Sequence, residues 1–236
     1  MHVNALTDVG LVRKDNEDNY LVSADRGLFV VADGMGGHLG GAVASSMAIK
    51  VIDEEIREPH LEENPSRLLH TALLKANSLI LQQGQSENLC GMGTTVTAAL
   101  FQKGSIYIAH IGDSRAYLYR DQALTLLTQD HSLVNELLQK GGITVEEAQY
   151  HPQRNILTRA LGTQVLPQID FTTTPALPGD MLLLCTDGLS NHVTDQEIKT
   201  VLSEESNLKQ KVKHLVNLAL ERGGNDNITV VLVQYE

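Results

Sequence analysis

The residues best suited to chemistry are aspartates that terminate apolar runs. Val30, Val31 and Ala32 lead into Asp33 and Gly34, and Leu183, Leu184, Cys185 and Thr186 lead into Asp187 and Gly188. After His110 and Ile111 the order changes, with Gly112 before Asp113, Ser114 and Arg115. A fourth version runs the other way, with Asp226 and Asn227 just before the apolar run from Ile228 to Val233. A carboxylate at the end of a buried strand is costly to desolvate unless something pairs with it. The chain has 18 Lys and Arg against 29 Asp and Glu, and of the basic residues only Arg115 stands beside one of these aspartates. Divalent cations are the simplest partner for several carboxylates at once. A donor set made only of oxygen favours magnesium or manganese over zinc or copper. Two such ions about 3.5–4 Å apart share a hydroxide and clamp a phosphoryl group for in-line attack. An adjoining glycine lets backbone approach closely enough for a carbonyl oxygen to reach an ion. Taken singly, each Asp-Gly pair reads equally as a turn.

The glycine-rich stretch from Gly34 to Gly41 could cradle a phosphate at a helix start, or simply let a helix leave a strand end closely. It is no nucleotide P-loop, because no Gly-Lys-Ser/Thr follows. Other polar residues have plainer assignments. Thr194 and Glu197 have capping-box spacing, and Asp130 and Ser132 read as helix caps. Asp113 and Arg115 could form a local salt bridge of little worth. His110, His131, His151 and His192 lack a second ligand at helical spacing and read as structural or exposed. Cys90 and Cys185 form neither a disulfide framework nor a zinc motif, and Cys185 reads as a small core residue.

These aspartates need strands to hold them. Residues 18–24 and 28–32 predict a strand pair around a turn at 25–27. Residues 42–57 and 66–83 carry helical apolar periodicity. Strands follow at 94–101, 106–111 and 116–119, then short helices at 132–140 and 144–149, then an irregular stretch over 151–168. Residues 181–186 predict a buried strand, 195–203 and 207–221 helices, and 228–233 a closing strand. Adjoining short strands with paired long helices indicate a layered α+β domain, not a doubly wound parallel one. Apolar residues make up 42 % of the chain, enough for a sizeable core and against disorder. The formal net charge of −11 argues against a nucleic-acid partner, because phosphate backbones need clustered Lys and Arg. The longest apolar runs have about five residues, far below the ~20 needed to span a bilayer, so no membrane partner is expected. With no basic-then-apolar leader at the N-terminus, the expected location is the cytoplasm.

As an ordered set, six segments resemble the motifs of the metal-dependent protein phosphatases of type 2C in their compact bacterial form. They are Arg13 to Asp18, Val31 to His38, Gly93 to Thr95, Gly112 to Arg115, Cys185 to Leu189 and Gly224 to Thr229. The resemblance covers essentially the whole chain. It implies an α+β fold with a central sandwich of two antiparallel β-sheets flanked by helix pairs, four layers in the order αββα. It also implies a single catalytic domain over residues 1–236 with a variable flap at about 135–165. The implied activity is hydrolysis of phosphoserine and phosphothreonine on proteins, opposing a Ser/Thr kinase, with two manganese or magnesium ions and room for a third.

Residue by residue, the resemblance makes Asp33 the ligand that bridges both ions, with the Gly34 carbonyl completing one site. Asp187 and Asp226 would bind the other ion, and Asp113 with Asp187 a weaker third. Glu17 and Asp18 match acidic positions that hold metal-bound waters or stand behind the ligands. Arg13 matches the arginine that grips the substrate phosphate, a task suited to a planar fork of donors. Many eukaryotic members carry a histidine, proposed as general acid, directly after the bridging Asp-Gly. Here that position is Met35, and the acid role falls to His38 nearby or to a metal-bound water. Two other functions fit less well: a metal-dependent hydrolase of small phosphoesters, and a non-catalytic phosphoprotein-binding regulator. The regulator would be expected to lack one of the core aspartates, and all are present.

Overall fold

The computed structural model describes residues 1–36, 39–57, 64–86 and 89–236. Its strands form two antiparallel sheets. The first has the order β1 (His2–Asp8), β11 (Ile228–Gln234), β10 (Met181–Cys185), β7 (Arg115–Arg120) and β8 (Ala123–Leu126). The second has the order β2 (Asp18–Ser23), β3 (Leu28–Met35), β5 (Val96–Gln102), β6 (Ser105–Ile111) and β9 (Asp170–Pro175), and the short β4 (Gly93–Thr94) pairs with the end of β3. The sheets stack face to face. Helices α1 (Gly40–Glu55) and α2 (Pro65–Gln83) cover the outside of the second sheet. Helices α6 (Asp195–Ser203) and α7 (Leu208–Glu221) cover the outside of the first. The expected four-layer αββα sandwich is therefore present.

Strands buried on both faces explain why the strongest apolar runs lack alternation. In β3, Phe29 and Val31 point between the sheets, while Leu28, Val30 and Ala32 pack under α1 and α2. In β11, Val231 and Val233 point between the sheets, while Ile228, Val230 and Leu232 pack under α6 and α7. Each such Val, Leu, Ile or Phe side chain contributes about 1.5–3 kcal/mol by leaving water. The period of two also fixes where the polar ends point. Asp33 continues the inward series of Phe29 and Val31, so its carboxylate emerges between the sheets at their end.

The helices begin where the caps predict. Thr194 and Glu197 form a full capping box at α6, and Thr144 and Glu147 form another at α4 (Val145–Gln149). Ser132 caps α3 (Leu133–Gln139) by accepting from the Asn135 amide. Asp130 does not act as a helix cap through its side chain. Its carboxylate is taken by Arg115, and its backbone carbonyl accepts from Asn135.

Four elements go beyond the sequence reading: β1, β8, β9 and α5 (Asp187–Ser190). The three strands are edge or near-edge pieces with mixed, partly exposed side chains, so no apolar run marks them. Helix α5 is one turn, too short for periodicity to register. Among the described residues no helix is long and apolar enough to cross a membrane.

Candidate active site

The strand ends deliver their carboxylates to one cleft of about 790 Å³, lined by Arg13, Glu17, Asp33, Gly34, Asp113, Asp187 and Asp226 among others. Asp18 lies behind it, buried, directly opposite Asp33 in the β2–β3 register. Its Oδ2 accepts from the Thr186 hydroxyl at 2.8 Å and the Thr229 hydroxyl at 2.7 Å. Thr229 lies in β11 of the opposite sheet and Thr186 directly follows β10 there, so this one carboxylate ties the two sheets together at the site. Asp18 Oδ1 is buried without a hydrogen-bond partner, and so is Asp187 Oδ1. Such orphaned acceptors are costly, and a cation is the group that would satisfy them.

Asp33 is held by its backbone. Its N–H donates to Thr95 Oγ1 at 3.0 Å, and its carbonyl accepts from the Thr95 N–H at 2.8 Å and the Thr94 hydroxyl at 2.9 Å. Thr95 Oγ1 in turn lies 2.8 Å from Ser114 Oγ, beside Asp113. Gly34 has no room for a side chain, since a Cβ there would sit 2.1 Å from the Gly41 carbonyl oxygen. This close approach sets the start of α1 against the end of β3 and brings the Glu17 carboxylate alongside Gly41. The glycine-rich stretch thus acts as a tight strand-to-helix joint at its described ends.

The loop carrying Arg13 is tied to the start of β11. Asn227 Nδ2 donates to the carbonyls of Val9 and Asp15, and Asn227 Oδ1 accepts from the Glu17 amide. The Leu11 amide donates to the Gly224 carbonyl at 2.8 Å. Arg13 then reaches Asp226, Nη2 to Oδ2, at 2.7 Å. The sequence reading placed Arg13 on the substrate and Asp226 on a metal; the structure puts the two side chains in contact with each other at the cleft mouth. Arg13 is half exposed there, so their pairing contributes only about 0–1 kcal/mol and is easily exchanged for other partners.

Asp113 follows a turn that glycine makes. Gly112 has φ +112°, and a Cβ would lie 2.5 Å from the Thr95 side chain. Arg115 does not pair with Asp113. It grips Asp130 in bidentate fashion at 2.9 and 2.7 Å and donates to the Tyr117 hydroxyl, which donates to Asp195. His131 receives the Gly112 amide on Nδ1 at 3.1 Å and faces Asp170 with Nε2 at 3.0 Å.

The site's electrostatics follow from this crowding. Burial, then the neighbouring Asp18, Asp187, Asp113 and Asp226, raise Asp33 well above the carboxylate range. Burial, then Asp187 and Asp130, do the same to Asp113. Burial pushes Asp18 up to about 7 against the two threonine hydrogen bonds. Burial and Asp226 push Asp187 up to about 6 against the Asn191 amide, which donates to its Oδ2. A cation reverses this logic by favouring the charged forms. Among the described residues no three His, Cys, Asp or Glu side chains are already drawn together as a finished metal cage. Cys185, buried and raised to about 12, is inert, as its place in an apolar run indicated.

His38 lies outside the described residues. The sequence reading gave no role to Thr186, Thr229, Thr95, Ser114 or Asn227, which position the acids. Each lies next to a candidate ligand or within its motif, and that adjacency was the available signal.

A sandwich whose strand ends gather carboxylates and an arginine into one cleft is suited to hold divalent cations beside an anionic substrate, the class of site a metal-dependent hydrolase of phosphate esters needs. The particular family comes from comparison with known proteins. The model of the family "Protein phosphatase 2C" matches residues 8–232, and the chain belongs to that family. Serine/threonine phosphatase stp of Listeria monocytogenes is 41 % identical over 241 residues, which span 99 % of this chain and 96 % of that protein. The crystal structure of the Mycobacterium tuberculosis serine/threonine phosphatase PstP/Ppp superposes with a TM-score of 0.93 at 40 % identity, covering 100 % of this chain and 98 % of that one. The catalytic domain of PstP in complex with 2 manganese ions superposes with a TM-score of 0.87 at 39 % identity, covering 99 % and 97 % of the two chains.

Proposed function

We propose that this chain removes phosphate from phosphoserine and phosphothreonine on proteins, using two divalent ions held by Asp33, the Gly34 carbonyl, Asp187 and Asp226. The observation that carries the reading is the pair of buried carboxylate oxygens without partners, on Asp18 and Asp187, at the edge of a cleft that also presents Arg13. The all-oxygen donor set suits manganese or magnesium.

Two divalent ions held by these residues would make hydroxide available as the nucleophile near neutral pH and would neutralise charge on the phosphoryl oxygens. Arg13 exchanges its half-exposed contact with Asp226 for the non-bridging oxygens of the phosphate, a fork-to-oxygen match. Asp18 orients the site from behind, fixed by Thr186 and Thr229. Glu17 stands at the cleft wall where it orders water, and Asp113 with Asp187 offers a weaker third position. His38, or water at the site, gives a proton to the serine or threonine oxygen as its bond to phosphorus breaks. The cellular setting that fits is the cytoplasm, opposite a Ser/Thr kinase.

The test is hydrolysis of phosphoserine and phosphothreonine peptides, sugar phosphates and nucleotides, with manganese and with chelator. Turnover of the phosphopeptides that needs manganese supports the reading. Turnover indifferent to chelator rejects it, and preference for sugar phosphates or nucleotides favours a small-phosphoester hydrolase.

A further inference from the structure

His131 sits where three segments meet. Its backbone N–H donates to the Gly112 carbonyl at 2.7 Å, and its carbonyl accepts from the Thr158 amide at 2.9 Å. Its side chain returns to the same turn, with Nδ1 accepting from the Gly112 N–H at 3.1 Å. A backbone N–H can only donate, so Nδ1 carries no proton and the ring proton lies on Nε2. Nε2 then donates to Asp170 Oδ2 at 3.0 Å. Arg159, which lines the cleft, sets Nη1 3.2 Å from both Asp170 Oδ1 and His131 Nε2; with the ring proton on Nε2, its hydrogen bond goes to the Asp170 oxygen. The imidazole is 3 % exposed, and the His110 ring packs against it at 4.8 Å. The Gly112 N–H and Asp170 thus fix one tautomer, and its Nδ1 and the His131 backbone N–H hold the turn just before Asp113 with one hydrogen bond each.

We infer that His131 is a positioning residue for Asp113, setting how well that carboxylate holds a cation at the weaker third position. The role rests on the phosphatase reading and deepens it. A turn built on a positive-φ glycine has no side chain of its own to fix it, so its aim depends on outside partners. His131 supplies two of them and ties the aim of Asp113 to the cleft wall at Arg159.

The test counts manganese on the full chain by the EPR signal of free ion, in the wild type, Asp113→Ala, His131→Asn and His131→Gln. Asparagine places Oδ1 where the imidazole has Nδ1 and keeps the Gly112 bond. Glutamine places its amide near Nε2 and, of the two side-chain contacts, keeps only the one to Asp170. The wild type's weakest ion is expected to be lost in Asp113→Ala, weakened about tenfold or more in His131→Gln, and kept within about threefold in His131→Asn. Unaltered binding in His131→Gln, or loss in His131→Asn, overturns the role. A second measurement needs no variant. During magnesium titration of the wild type, the nitrogen resonances of the His131 ring and the Gly112 amide should move in the weak-binding phase. Resonances that stay still through that phase overturn the role even if His131→Gln does not fold. A wild type that takes up no ion at all refutes the phosphatase reading as well. Tight ions without a weak one refute the role of His131 only.

Discussion

Asp18 and Asp33 face each other across the β2–β3 ladder, two carboxylates in register at the end of a buried sandwich. Like charges directly opposite each other destabilise a sheet. Asp18 keeps two threonine hydrogen bonds on one oxygen and leaves the other without a partner. Such an arrangement sacrifices stability for a site that attracts cations. Asp18→Asn keeps an acceptor for the threonines and removes the repulsion. It should raise the melting temperature of the chelator-treated protein by about 3–6 °C, the equivalent of roughly 1–2 kcal/mol. The same change should weaken manganese binding about tenfold or more. Calorimetric melting and manganese titration check both parts.

The raised carboxyls also set a pH dependence. Burial lifts Asp18 to about 7 and Asp187 to about 6, and lifts Asp33 and Asp113 well above the ordinary range. A carboxyl raised in the folded state keeps its proton after the unfolded chain has released its own. Its folded state therefore loses relative stability as pH climbs from the ordinary carboxylate value through the folded value. Burial holds His110, His131 and His192 below the ordinary histidine value, so above about pH 6.5 they are mostly neutral and contribute little slope. The metal-free protein should melt progressively lower between about pH 6.5 and pH 8, and saturating manganese should flatten that slope. Melting curves with and without chelator measure it.

Arg13 should matter to substrate and little to the fold. Its contact with Asp226 is half exposed and contributes at most about 1 kcal/mol. Arg13→Ala should shift the melting temperature by no more than about 3 °C. Removing a charge-assisted contact to phosphate costs about 1.5–3 kcal/mol, so KM for a phosphothreonine peptide should rise roughly 10- to 150-fold with a smaller change in kcat. Steady-state kinetics separate the two.

Arg115 should behave in the opposite way. It satisfies Asp130 through two hydrogen bonds and supports the Tyr117 to Asp195 link between β7 and α6. Arg115→Ala leaves a largely buried carboxylate unpaired and should cost about 3 kcal/mol of stability in urea unfolding. Affinity for the two ions expected at Asp33, Asp187 and Asp226, per folded molecule, should stay close to that of the wild type, since Arg115 makes no hydrogen bond or ion pair with those residues.

Much of the site was legible because buried strands announce themselves. The runs ending at Asp33 and Asp187 and beginning after Asp226 are apolar on both faces, so their aspartates stood out as strand-end charges. Asp113 was marked by its glycine. The partners of these groups were not legible, because they come from far along the chain. Asp18 meets Thr186 and Thr229 across the sandwich, and Arg13 meets Asp226 from the opposite terminus. Arg115 was read beside Asp113 from proximity in sequence, whereas the β7 pleat sends it to Asp130. Strands β1, β8 and β9 were missed because partly exposed, mixed sequences form strands only when a neighbour offers an edge.

The most direct test of the central claim is an anomalous difference map at the manganese edge from a crystal grown with manganese. Two peaks about 3.5–4 Å apart, bounded by Asp33, Asp187 and Asp226, are the predicted result. A cleft without manganese, or ions bound away from Asp33, would contradict the account.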